Sequence, residues 1–161
     1  FCIFRYFFSY GAGMYDIDFE VMGQPIGKGR PRFTKSGHTY TPEKTREYER
    51  RIRAAAWKRM QQLKVEPTLC HVHIDLIAYM QIPKSWSKRK KLQAECGIIK
   101  PKMPDIDNIL KALCDGIQGP IGPIIYNDSQ VHSVKARKVY ANLDDWPRLA
   151  VKVRWEQTRA I

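Results

Sequence analysis

The chain predicts an α/β fold of α+β-like character: one mixed β-sheet in a single layer, flanked by helices. Three observations lead there. Apolar and polar residues alternate near both ends of the chain, at 15–22 and 149–156, and again over 69–79, the period of a strand with one buried face. Residues 43–63 contain no glycine or proline and carry apolar residues at helical spacing. A second helical period, Ile106, Ile109, Leu110, Leu113 and Ile117, follows a cluster of acids. The resulting order is strand, helix, strand, helix, helix, strand, strand, which calls for layered packing around one core.

Taken in order, Tyr15, Ile17, Phe19 and Val21 alternate with Asp16, Asp18, Glu20 and Met22 as the first strand. Residues 23–42 are rich in glycine and proline, so they form a long loop or ribbon. This segment carries Lys28, Arg30, Arg32, Lys35 and His38, with Phe33 and Tyr40 between them. Basic and aromatic side chains in that alternation suit phosphate contacts with stacking on exposed bases, while the two aromatics alone are better read as packing back on the core. Thr41 is the expected helix cap, with Pro42 in the first helical position. Tyr48, Ile52, Ala55, Ala56 and Met60 give the following helix its apolar stripe; Arg46, Arg50, Arg53 and Lys58 lie off it. That basic face is either a duplex-binding surface or the solvated side of an amphipathic helix, and both readings stay open at this point.

Cys70, Val72, Ile74, Leu76 and Ala78 form one face of the next strand, with His71, His73 and Asp75 on the other. Two histidines without a third ligand nearby read as strand-surface residues rather than a metal site. Ser85 or Ser87 then caps a short basic helix that stops at Gly97. Val131–Ala141 and Leu149–Trp155 are the last strands.

A chain of 161 residues, 43% hydrophobic, suits one domain with a real core. Residues 1–13, FCIFRYFFSYGAG, are set apart as an N-terminal extension that need not be native, and 14–161 as the single domain. The extension is aromatic but shorter than the roughly 20 residues of a membrane span, and it lacks the pattern of a secretory signal, so no membrane partner is expected. The four cysteines, Cys2, Cys70, Cys96 and Cys114, form no CxxC pair, which argues against a disulfide framework or zinc ribbon and for a reducing, cytoplasmic setting. Formal net charge is +12, and it is segregated: 28–59 and 84–102 together exceed the net charge of the whole chain, leaving the remainder mildly acidic. Segregated basicity is the footprint of a nucleic-acid binder; a soluble domain with solvated lysines is the plainer alternative.

Within this basic chain, 103–140 concentrates the acids. Asp105 and Asp107 flank the start of a helix, and Asp128 occupies a turn between two apolar runs. Asp107 or Asn108 sits where a helix cap belongs, which leaves Asp105 without a structural role. Asp107, Lys111 and Asp115 are spaced by four and share one helix face. Asp115 then stands roughly 12 Å from Asp107, too far to share an ion, and is expected to steady Lys111 as an i+4 partner. Asn-Asp-Ser is ordinary turn chemistry when taken alone. Three carboxylates able to meet beside a lysine nevertheless suit one or two Mg²⁺ ions bridging protein and phosphate, with Lys111 neutralising charge on the scissile phosphate. The residues therefore point to a metal-dependent DNA endonuclease.

PDIDNILKALCDG followed by YNDSQV resembles the signature of the RusA family of Holliday-junction resolvases, and GKGRPRF with GHTYTP resembles that family's N-terminal segment. The resemblance runs from Met14 onward through most of the chain. It implies a RusA-like fold and a homodimeric, Mg²⁺-dependent crossover junction endodeoxyribonuclease, with Mn²⁺ able to substitute. Such an enzyme binds branched double-stranded DNA, the four-way junction, and makes paired nicks in recombination and repair. It would be bacterial or prophage-encoded. On that likeness Asp105, Asp107 and Asp128 correspond to the catalytic, metal-binding acids and Lys111 to the catalytic lysine; Asn108 and Asp115 support them, and Lys28, Arg30, Arg32 and Lys35 are expected on DNA. Where some members carry a basic residue before the first acid, this chain has Pro104. Two other functions fit the same sequence: a non-catalytic basic DNA-binding module, and a nuclease for flaps, forks or RNA.

Overall fold

Alternating burial along the strands builds the architecture. The computed structural model describes residues 13–30, 42–120 and 122–156, with the backbone alone of 32–33, 39–40 and 157. The extension 1–12, Lys35, His38, Thr41 and the side chains of Arg32, Phe33 and Tyr40 lie outside the described residues. Elements follow in the order β1 (Gly13–Met22), β2 (Arg32–Phe33), β3 (Thr39–Tyr40), α1 (Glu43–Leu63), β4 (Val72–Met80), α2 (Lys88–Glu95), α3 (Ile106–Ile117), β5 (Val131–Tyr140) and β6 (Arg148–Gln157). A four-stranded mixed sheet has the order β1-β6-β4-β5, and β2 pairs with β3 as a small separate ribbon. β1 and β4 run antiparallel to β6 between them, while β4 and β5 are parallel. Parallel neighbours need a crossover, and α2 and α3 supply it. The predicted single mixed sheet with flanking helices is therefore the fold observed.

One face of this sheet is apolar. Ile17, Phe19, Val21, Ile74, Leu76, Val151 and Val153 are buried together with Ile52, Met60, Ile109 and Leu113 from α1 and α3. The opposite face is a polar lattice in which Arg154 pairs with Asp75 at 2.6 Å, Arg148 with Glu20 at 3.1 Å and Lys152 with Asp16 at 3.6 Å. His73 donates to or accepts from Ser133 at 2.7 Å and lies 3.3 Å from Asp75, a surface histidine as expected. β5 forms one sheet edge and exposes Lys135 and Arg137.

Two local expectations shift, and one choice between alternatives is settled. Pro42 is the N-cap of α1, with φ −54 and ψ 140, not its first helical residue, and its carbonyl accepts from the amides of Thr45 and Arg46. Ser87 is the residue that caps α2, accepting from the Lys90 amide at 3.4 Å. The strand expected over 69–79 runs from Val72 to Met80, because Leu69 is 81% exposed and Thr68 makes only an isolated bridge to Ile125.

The α1–α3 contact positions everything that follows. Gly116 faces Ile52 so closely that a Cβ there would lie 2.5 Å from Ile52 Cγ2 and 2.7 Å from its Cβ. Much of the basic face of α1 is consumed by structure. Arg53 donates to the α3 carbonyl oxygens of Asp115 at 3.2 Å and Gln118 at 2.7 Å, the carbonyls a helix end leaves unpaired. Arg59 pairs with Asp18 at 3.0 Å, Arg51 with the Met22 carbonyl, and Arg46 and Arg50 with Glu43. Beside Arg53, Glu49 has a buried Oε1 without a hydrogen-bond partner among the described residues. Burial raises its carboxyl above the ordinary range, and the adjacent Asp115 adds to that rise.

Two outcomes follow. Gly116→Ala gains helix propensity, but the clash is with a branched, fully buried side chain, so overpacking wins; stability falls by about 1–3 kcal/mol, read as a lower midpoint in urea. Glu49→Gln removes a carboxylate that the fold disfavours. Because the folded value is raised, the glutamate's contribution is fully present below the unfolded value of about 4.3 and is lost as pH rises through the folded one. The variant is therefore more stable than the parent at pH 7, and the difference closes on acidification to pH 4; equal midpoints at both pH values would contradict the assignment.

Candidate active site

The loop after β1 approaches the start of α3 at a glycine. A Cβ on Gly27 would lie 2.9 Å from Pro104 Cβ and 3.1 Å from Asn108 Cβ, and the next amide, Lys28, donates to the Asn108 carbonyl at 2.8 Å. Asn108 thus supports the site through its backbone. Only a residue without a side chain lets the loop come this close, and the approach carries the Lys28 ammonium along α3 to Asp115, with which it forms an ion pair. Asp115 raises the Lys28 ammonium above the ordinary lysine range. Lys28, expected on DNA, is thus paired with Asp115 within the protein. Arg30 is exposed.

Asp105, not Asp107 or Asn108, occupies the N-cap of α3, and its side chain makes no capping hydrogen bond. Asp107 lies in the first turn and accepts from Lys111 Nζ at 3.1 Å. Lys111 holds the Asp107 carboxyl below the usual carboxylate range. The predicted helix-face arrangement is corrected accordingly: Lys111 is steadied by the acid one turn before it, while Asp115, one turn after, is taken by Lys28 and by Gln118, whose Nε2 donates at 3.1 Å.

Asp128 opens a short 3-10 turn, Asp128–Gln130. Asn127 Oδ1 accepts from the Ser129 amide at 2.9 Å, and Gln130 Oε1 accepts in return from the Asn127 amide at 3.0 Å, a reciprocal cap. Gln130 Nε2 also donates to the carbonyls of Thr68 at 2.7 Å and Cys70 at 3.0 Å, fastening the turn to the entry of β4. The Asp128 amide donates to Gln118 Oε1 at 2.8 Å. Gln118 therefore joins Asp115 to Asp128 through its two amide atoms. Sequence reasoning passed over Gln118, Gln130 and Glu49. An Asn-x-x-Gln spacing signals the reciprocal cap at Gln130; Glu49 has no comparable local signal, since Asp115 lies far from it in the chain, and Gln118 follows the end of the apolar helical period.

Lys28, Leu110, Lys111, Cys114, Asp115 and Asp128 line one open cleft of about 280 Å³. Burial pushes the Cys114 thiol up to about 11, and the nearby Asp128 and Asp115 charges add to the shift. The structure thus brings Lys111 and Asp128 to a common space, with Asp105 and Asp107 at the mouth of the same helix. Neither Asp105 nor Asp128 has a side-chain partner among the described residues. Yet among those residues no three of His, Cys, Asp and Glu stand close enough to hold a metal ion. Asp105, Asp107 and Asp128 thus form no ready-made three-carboxylate cage in the protein alone. Asp105 and Asp107 stand at the start of α3, and the Asp128 backbone is tied to Gln118 at its end, while Asp128 itself lines the cleft with Leu110 and Lys111. The donor chemistry still fits Mg²⁺, a hard cation that takes carboxylate oxygens and completes its shell with water and phosphate rather than needing a closed protein cage.

No helix among the described residues is long and apolar enough to cross a membrane. Residues 22–154 match the family Endodeoxyribonuclease RusA. The chain is also 34% identical over 146 residues to YqaN, an uncharacterized protein of Bacillus subtilis (strain 168), a match covering 86% of this chain and 95% of that one. With the family match spanning the ribbon segment, the helix of Asp105 to Asp115 and the turn of Asp128, the chain belongs to the RusA endodeoxyribonuclease family.

Proposed function

We propose that this protein is a Mg²⁺-dependent endonuclease that resolves four-way DNA junctions by paired nicks, acting as a homodimer in the cytoplasm. The observation that carries the reading is the shared cleft of Lys111 and Asp128, with Asp107 hydrogen-bonded to Lys111 at the same helix. Asp105, Asp107 and Asp128 would contribute oxygen ligands to the ion, with water and phosphate oxygens completing its shell, and Mn²⁺ could replace it. When bound, it supplies Lewis acidity and lowers the pKa of coordinated water. Lys111, more than half exposed, is hydrogen-bonded to Asp107, and its ammonium would offset negative charge on the phosphate being cut. Gln118 fixes the Asp128 backbone relative to α3, and Asp115 fixes Gln118. Arg30, Arg32 and Lys35 supply sequence-independent phosphate contacts from the ribbon segment, so binding weakens as salt rises. Symmetric cleavage requires two such sites related by a two-fold axis.

A second reading, a DNA-binding module without catalysis, is favoured by the lack of a ready-made three-carboxylate cluster among the described residues. One experiment separates the two. Wild-type protein with a four-way junction and Mg²⁺ is expected to give paired cuts that EDTA abolishes. Asp128→Asn lowers the rate by about 10²–10³-fold, the scale of losing one preorganised charged group, while junction binding in a gel-shift assay persists. Intact junctions with the wild-type protein support the module instead, and a panel of flaps, forks and RNA decides the substrate.

Gln118→Ala releases the Asp128 turn from α3. Its cleavage rate drops by about 10-fold or more, as is typical when a supporting partner of a ligand is lost, with junction affinity unchanged. An unaltered rate would show that the Gln118 bridge does not position Asp128.

A further inference from the structure

A second and larger concavity, about 530 Å³, opens between α2, the ends of β4 and β5, and the segment leading into α3. Its volume is in the range of small-molecule sites. Met80, Trp86 and Tyr140 form an apolar floor, and Lys90, Lys100 and Lys102 contribute the cations; no acidic residue lines it. Trp86 is braced edge-on by Tyr140, with ring centroids 5.5 Å apart and planes at 67°. The Lys90 ammonium lies over its face, 4.0 Å from the ring centre, on a flexible four-carbon stem. A nucleobase takes such a position readily, since every base has a π-face, while the displaced ammonium moves to a phosphate.

The groove is also joined to the candidate cleavage site. Met103 lines it, two residues before Asp105. Lys138 Nζ donates to the carbonyls of Lys102 at 2.6 Å and Pro104 at 2.8 Å, so the shared segment is pinned to β5. We propose that this groove binds an unstacked nucleotide of the DNA strand that enters the site, with its base on Trp86 and its phosphates on Lys90, Lys100 and Lys102. The occupant is nucleic acid rather than a second copy of the chain, because a copy related by a two-fold axis through the groove would set the same lysine-rich rim against itself, with no acidic lining residue to offset it. The inference rests on the nuclease reading for its substrate class only.

The test is titration of the full-length protein, in EDTA, into a single-stranded oligo-dT carrying one 2-aminopurine. Stacking on Trp86 quenches the probe. Trp86→Ala is expected to abolish the quenching and weaken binding about tenfold, Trp86→Phe to keep most of both, and Trp146→Ala, at an exposed tryptophan outside the groove, to change neither. The double variant Lys100→Ala, Lys102→Ala keeps the quenching but reduces the salt dependence of binding. Quenching that is absent, or equal in Trp86→Ala and the parent, overturns the site. So does a Trp86→Ala protein that changes only its sedimentation from dimer to monomer, since the groove would then hold another copy. Junction cleavage with no Trp86-dependent quenching defeats the groove and leaves the nuclease reading intact; Trp86-dependent quenching without cleavage does the reverse.

Discussion

Asp115 is the point at which four separated pieces of this chain are tied together. Its carboxylate receives Lys28 from the loop after β1 and Gln118 from the end of α3, and it lies against Glu49 of α1; through Gln118 it reaches the turn of Asp128. Arg53 covers the backbone carbonyl of the same residue. A carboxylate only partly exposed, with a lysine and an amide as partners, is well compensated. Glu49 is the member left short of donors. The network holds the loop, both helices and the turn at fixed distances around one cleft, so the charge balance at Asp115 governs where Lys111 and Asp128 stand.

The sheet and helices were legible in the sequence because each follows from a period of two or about 3.6, and periods are local. Strand alternation at Ile17, Phe19 and Val21 or at Val151 and Val153 maps directly onto the buried face. The site was legible in part. Spacing by four placed Asp107, Lys111 and Asp115 on one face, and Asp107 does bond to Lys111. What spacing cannot reveal is which neighbour competes best. Lys28 is 87 residues from Asp115 in sequence, and its arrival depends on Gly27 letting a loop touch Pro104 and Asn108. The cap position, too, went to Asp105 rather than Asp107, a shift of two residues that leaves the Asp105 side chain unbonded.

The basic stretches divide in a way that composition alone conceals. On α1, Arg46, Arg50, Arg51, Arg53 and Arg59 are engaged with Glu43, backbone carbonyls or Asp18. These guanidinium groups act as connectors, a role their planar, multiply donating geometry favours over lysine. Lysines dominate 84–102, where Lys90, Lys100 and Lys102 surround an aromatic floor instead of bonding to carboxylates. Two regions of similar net charge therefore differ in kind, one spent largely inside the fold and the other facing outward.

The sheet ends on one side at β5, a strand of ten residues parallel to β4. The outer edge of a strand of that length is a template onto which a foreign backbone can hydrogen-bond, the first step toward fibrous association. Lys135 and Arg137 stand exposed along it, two residues apart. Any strand that tried to extend the sheet would have to bury or crowd those two cations, so the same positive charge that suits a polyanion also guards the protein against self-templated growth.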